Sequence, residues 1–342
     1  MVVIVERVTG TRIDLLDYLR GVAMLGIVLV NSGSLLSAYP PEADTVDYAY
    51  WRFLYLFIEG RFYPIFTFLF GVGMHLFITR AKIRGKNGRV LFVRRLVVLF
   101  IFGLVHMQFH PGEALTIYSI AGLILLPFYS VNRRINLIFG IMMLIVLSLF
   151  AFKILMVVPL MLLGIAAGQY HVFEKISLYK KTVTGFTVIM FVLSITGIIL
   201  QLHMIPGGTE SANTVQTQHF LNMGITIGPV ISAFYIGAMI GVLQSPICRK
   251  VLAPIKSYGR MAFTNYLMQT VFILIAGTLL QLKNHIFYLQ TLYVCLAIYV
   301  IQLLFSTIWL HYFRYGPFEW IWRALTYGEL PPMQKRKKEI PL

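Results

Sequence analysis

The sequence predicts an all-α protein: a polytopic transmembrane bundle of about ten spans with both termini on the cytoplasmic side. Three observations predict it. Hydrophobic residues make up 58% of the 342 residues and charged residues only 12%, against about 25% charged in an ordinary soluble domain. Mean hydropathy is +0.78, and the apolar residues fall in blocks of roughly 17–25 residues, the length that crosses a bilayer. Finally, the basic residues between the blocks alternate in density, as the positive-inside rule requires of short loops.

Taken in order, the spans are predicted near 15–36, 54–79, 90–108, 114–131, 135–152, 154–170, 183–204, 222–244, 262–282 and 286–310. The first block follows Arg12 and Asp14 and has no small-residue cleavage site, so it is expected to remain as a span. With the N-terminus inside, the inner segments hold 25 of the 29 basic residues, and only Arg52, Arg61, Lys153 and Lys283 fall outside. The net charge of +16 is therefore topological, and nucleic acid is excluded as a partner. The two cysteines, Cys248 and Cys295, offer neither a disulfide framework nor metal-ligand spacing. The chain is read as one integral membrane domain over 1–342, with halves at 15–170 and 183–328 and a basic, disordered tail over 329–342. The outer loops 37–53 and 205–221 carry turn chemistry. No internal repeat points to an inverted-repeat architecture. GxxxG pairs at Gly164/Gly168 and Gly237/Gly241 read as close helix packing.

Polar side chains at membrane depth are costly and therefore informative. In the first span Asn31 follows Arg20 by eleven residues, which places it about 16 Å further along the helix. Arg20 alone reads as a snorkelling boundary residue, and Asn31 alone as interhelical glue. Glu59-Gly60-Arg61-Phe62-Tyr63-Pro64 opens the second span, where Glu59 and Arg61 either line a cavity or form a solvated helix start. His106, His110 and Glu113 lie in the connection after the third span. A histidine beside a carboxylate is the minimal general base with an orienting group. Two histidines and one acid are a thin metal signature, so no metal is expected, and interfacial polarity is the plain alternative. In GRMAFTNYLMQT, residues 259–270, Asn265 and Gln269 share one helical face and should point into the bundle. GPFEWIWRALTYG, residues 316–328, reads as an amphipathic segment lying in the membrane interface.

These residues carry a resemblance. The stretches IDLLDYLRGVAMLGIVLVN, GRFYPIFTFLFGVG, RRLVVLFIFGLVH, PGEALTIYSIAGL, GRMAFTNYLMQT and GPFEWIWRALTYG occur in the order typical of the YeiB-like family of bacterial membrane proteins, which has a C-terminal domain of unknown function. The family's GDIL turn reads Gly112-Glu113-Ala114-Leu115 here. That family is similar to the transmembrane acyltransferases, among them heparan-α-glucosaminide N-acetyltransferase, which places asparagine eleven positions after the arginine, as Arg20 and Asn31 stand here. The heparan enzyme's catalytic histidine would fall at Glu42, a departure that leaves His106 or His110 to supply the base.

The resemblance implies a multi-pass protein of the bacterial inner (cytoplasmic) membrane that moves an acyl group from cytoplasmic acyl-CoA to an extracytoplasmic glycan, lipid headgroup or small molecule. Acyl-CoA would be the co-substrate, its phosphates met by Arg20, Arg94, Arg95, Arg260 and Arg323. Asn31 would donate to the acyl carbonyl as charge develops there. His106 or Glu113 would take the acceptor's proton. The arginines also fit plain positive-inside placement. A transporter or flippase, or a non-enzymatic membrane factor, fits the same composition. The oligomeric state is open, a homo-oligomer included.

Overall fold

The computed structural model describes residues 13–206 and 215–335. Arg7 and Arg12, part of the loop 205–221 and the KRKK run of the predicted tail from Arg336 onward lie outside the described residues. Every regular element is helical: α1 (Asp14–Leu35), α2 (Val46–Phe57), α3 (Phe62–Ile83), α4 (Gly88–Met107), α5 (Leu115–Ile124), α6 (Arg133–Leu149), α7 (Val157–Gln169), α8 (Lys180–Leu202), α9 (Val215–Val242), α10 (Pro246–Val251), α11 (Ala253–Arg260), α12 (Ala262–Leu279), α13 (Tyr288–Tyr312) and α14 (Pro317–Tyr327).

Among the described residues, seven helical segments are long and apolar enough to cross a membrane: α1, α2 together with α3, α4, α8, α9, α12 and α13. The other three predicted spans fall on shorter helices. The block 114–131 divides into α5 and a 3-10 turn over Leu126–Ser130, because Pro127 has no N–H to continue the ladder. Residues 135–152 hold the 17-residue α6, and 154–170 the 13-residue α7, about 20 Å long against a hydrocarbon core of about 30 Å. The predicted span 54–79 is also broken. Gly60, at φ 76°, turns the chain between α2 and α3, and its carbonyl lies so close to Gly228 that a side chain on Gly228 would clash.

α3 is the axis of the bundle. Its Gly71 faces Gly164 of α7, where a Cβ on either would meet backbone oxygen at about 2 Å, that of Met161 at 1.9 Å and that of Phe68 at 2.0 Å. Glycine here brings two backbones together and substitutes dispersion contact for the hydrophobic drive that lipid removes. Around α3 and α7 lies the main core, with Met24, Met74, Phe92, Leu99, Tyr118 and Tyr266 among its members. α8 has only 11% of its apolar stretch buried, so its remaining surface suits lipid.

α14 folds back onto α4 and α12: Trp322 is buried, and its indole N–H donates to the Arg95 carbonyl at 2.9 Å. Glu319 accepts from the Phe263 and Thr264 amides at 2.8 and 3.0 Å, capping the N-terminus of α12.

Candidate functional site

A cavity of about 590 Å³ runs through the bundle between two polar ends. α1 supplies its spine. Asp17, Arg20, Met24, Ile27 and Asn31 all face it, because their spacings of three and four residues keep them on one helical face. Arg20 and Asn31 are eleven residues apart, a rotation within about 20° of three full turns.

One end is rich in arginine. Arg20 of α1, Arg80 and Arg84 from the end of α3, Arg95 of α4, Arg260 of α11, Arg314 and Arg323 line it together with only two acids, Asp17 and Glu319. Asp17 is buried and pairs with Arg20 at 3.0 Å. Burial pushes the Glu319 carboxyl up, opposed by its bonds to Thr264 and Phe263. The middle is an apolar sleeve that includes Met24, Phe66, Phe70, Phe263 and Tyr266. At the far end stand Asn31, Glu113, Glu59 and Lys153, the last two paired at 2.5 Å.

The structure thus gathers Arg20, Arg95, Arg260, Arg323, Asn31, Glu59 and Glu113 around one cavity. Arg94 is exposed on a neighbouring face of α4, one residue and about 100° from Arg95, and does not line the cavity. Arg61 is buried away from the cavity, donating to the carbonyls of Glu59 and Gly224 and to Gln201 Oε1. Asn265 donates to the Tyr258 carbonyl at 3.0 Å and to Ser306 Oγ at 2.9 Å, and Gln269 reaches the Tyr258 hydroxyl. Both do point into the bundle, but they join α12 to α11 and α13 rather than line the cavity.

His106, His110 and Glu113 form one cluster despite Pro111. His106 Nε2 lies 2.9 Å from Thr270 Oγ1, and its Nδ1 lies 3.8 Å from Glu113 Oε1. The His106 ring packs against His110 and against Tyr266, whose other surface faces the cavity. Glu113 is committed to the N-terminus of α5: it accepts from the Leu115 amide, the Thr116 amide at 2.9 Å and the Thr116 hydroxyl at 2.8 Å. Burial pushes its carboxyl up, but the His106, Thr116 and Leu115 donors outweigh this, so Glu113 sits below its ordinary value of 4.5. Burial, aided by His106 and opposed by Glu113, pulls His110 down to about 4. Among the described residues no three His, Cys, Asp or Glu are placed to hold a metal ion.

A lowered carboxyl stabilises the fold above its unfolded value and loses that contribution as pH falls through the folded one. Glu113→Gln is therefore expected to lower the unfolding temperature at pH 7, and the gap to wild type should close below pH 4.5. Thermal unfolding in detergent from pH 7 to pH 3.5 checks this; a constant gap would mean that the charge of Glu113 is not what caps α5.

That Thr270 and Tyr266 neighbour the site was not legible in the sequence. The one available signal for Glu319 was an acid directly after Gly-Pro-Phe in an otherwise aromatic segment.

The family model "Protein of unknown function (DUF418)" matches residues 167–329. Over 336 residues the chain is 52% identical to the "Uncharacterized 39.9 kDa protein in amylase 3'region" of Bacillus acidopullulyticus, covering 96% of this chain and 97% of that one. It is 25% identical to the uncharacterized protein YxaH of Bacillus subtilis, over 96% and 98% of the two chains. With the uncharacterized protein YeiB of Escherichia coli the identity is 27%, over 91% and 95%. No solved structure matches. With apolar helices enough for a multi-pass membrane protein, and with relatives aligned along nearly its whole length, the chain belongs to the DUF418 family and is a homologue of YeiB and YxaH.

Proposed function

We propose that this protein is a membrane-bound acyltransferase of the bacterial inner membrane, with about ten spans and both termini cytoplasmic, moving an acyl group from cytoplasmic acyl-CoA to an extracytoplasmic acceptor. The observation that carries the reading is the single cavity joining the arginine end to Asn31. A phosphorylated donor entering at the arginines has a path of about 16 Å along α1 to reach Asn31, which suits a long, narrow donor delivering its thioester to the far end.

In this reading the acceptor, a glycan, lipid headgroup or small molecule, enters beside Glu59 and Lys153. The Asn31 amide donates to the thioester carbonyl as it becomes an oxyanion. The acceptor nucleophile bonds to the carbonyl carbon, the C–S bond breaks, and the CoA thiolate leaves toward the cytoplasm. The His106–Glu113 pair takes the acceptor's proton. Glu113, its oxygens taken up by the donors at the start of α5, is the orienting member, and His106 is the base.

A second reading, transport or flipping of a small or lipidic substrate, is favoured by the same cavity having polar residues at both ends. Calorimetry of acetyl-CoA with the protein in nanodiscs separates the two. Saturable binding, weakened about tenfold or more by Arg20→Ala, supports transfer. No binding of short-chain acyl-CoA to folded protein would reject it and favour transport or a non-enzymatic role.

A further inference from the structure

Two of the arginines at the cavity's basic end are held in an unusual way. The Arg95 guanidinium lies 3.5 Å from the centre of the Trp322 ring system and 5.2 Å from that of Phe77. The Arg323 guanidinium lies 5.1 Å from the Tyr315 ring and 5.0 Å from the Tyr327 ring. Each is thus fixed by two aromatic rings, an arrangement that engages the guanidinium's π-face and leaves its in-plane N–H donors unused. Among the described residues neither guanidinium has a hydrogen-bond or ion-pair partner. Both line the cavity.

The two cations are near enough for their charges to act on one another, and Arg20 adds to the same field. The acids at this end do not neutralise them. Asp17 is paired with Arg20, and both oxygens of Glu319 accept from α12, one from the Phe263 and Thr264 amides and the other from the Thr264 hydroxyl. Seven arginines face two committed carboxylates. Arg95 and Arg323, two like charges held by aromatic rings rather than by protein acceptors, form a receptor for a polyanion.

We infer that the arginine end of the cavity is a diphosphate receptor in which Arg95 and Arg323, each fixed by its aromatic rings, are the two anchors. A diphosphate offers each anchor its own phosphoryl group and a forked set of acceptors, which a single carboxylate or sulfate does not. The receptor rests on the cavity used in the transfer reading but not on any acyl chemistry. Its ligand has one of two sources, a soluble nucleotide-type diphosphate such as that of CoA, or the diphosphate head of a prenyl lipid.

The test is calorimetry on the full chain in zwitterionic-lipid nanodiscs, titrated separately with inorganic pyrophosphate, CoA and farnesyl diphosphate. Pyrophosphate is expected to bind saturably. Arg95→Gln and Arg323→Gln should each weaken it about tenfold or more, while the exposed Arg134→Gln, which removes the same charge elsewhere, leaves it unchanged. Arg95→Lys keeps the charge, and with it the folded bundle, but loses the fork, so it should weaken binding with an unaltered melting temperature. Tighter binding of CoA than of farnesyl diphosphate identifies the soluble source, and the reverse order the lipid. No binding of any of the three, or equal weakening by Arg134→Gln, overturns the receptor. Pyrophosphate binding without acyl transfer from acyl-CoA leaves the receptor standing and removes the transferase. Acyl transfer with a donor affinity that Arg95→Lys and Arg323→Lys do not change does the opposite.

Discussion

Replacing Arg61 by alanine is expected to be the most destabilising single substitution away from the cavity. Arg61 is 1% exposed, and it ties the turn between α2 and α3 to α8 and α9. Its guanidinium donates to the Gly224 carbonyl and to Gln201 Oε1, both at 2.8 Å, and to the Glu59 carbonyl. Ser232 donates back to the Arg61 carbonyl. No carboxylate is involved, since the Glu59 side chain pairs with Lys153. Two effects then compete on removal. The buried charge disappears, which relieves a desolvation cost. Three acceptors lose their donors, at about 1–3 kcal/mol each, and a large void opens. The second side wins for alanine, because the Gly224 carbonyl and Gln201 Oε1 are buried together with Arg61. Arg61→Ala should cost at least about 3 kcal/mol, a fall of about 4 °C or more in unfolding temperature. Arg61→Met also removes the charge and the donors but fills the volume, so its cost should be smaller by the share of the void. Scanning fluorimetry in detergent compares the two; equal falls would show that packing matters little and the donors are everything, and no fall in either would remove Arg61 as the tie.

Much of the fold was legible because membranes impose simple rules. Apolar blocks separated by basic connections located α1, α4, α8, α9, α12 and α13, with ends close to those expected except that α9 begins earlier, at Val215. Where the boundaries slipped, a local backbone cause was present: Gly60 divides α2 from α3, and Pro127 ends α5. Hydropathy averages over such breaks, so it joins what the backbone separates.

The site was legible to the extent that it follows helical periodicity. Arg20 and Asn31 share a face because eleven residues nearly complete three turns, and that relation needs no tertiary knowledge. Choosing between Arg94 and Arg95 needed the rotation of α4 about its own axis, which its packing against α3, α5 and α14 fixes. Asn265 and Gln269 illustrate the same limit. Their shared face was readable, but which neighbour it met was not, and the neighbour proved to be α11 and α13. The Glu319–α12 and His106–Thr270 contacts join residues 55 and 164 positions apart in the chain. No local pattern encodes such separations.

Asn31→Ala should produce the largest functional loss if the chain transfers acyl groups. The residue lines the cavity where the arginine-anchored donor would place its thioester, and it is half-buried rather than sealed in the core. A donor aimed at a developing oxyanion acts mainly in the transition state, and removing one costs about 10²–10³ in kcat. The loss should therefore appear in kcat, with the acyl-CoA dissociation constant little changed. Asn31→Asp is a sharper probe. It keeps the size of the side chain but places a negative charge where negative charge must form, so it should be at least as damaging as alanine. Asn31→His restores an N–H donor at the same position on the α1 face and should recover part of the rate. Transfer of labelled acetyl from acetyl-CoA in proteoliposomes, measured with each variant, gives the three rates. A loss confined to KM would make Asn31 a ground-state contact of the donor. Equal rates for alanine and histidine would show that no hydrogen bond from this position reaches the reacting carbonyl.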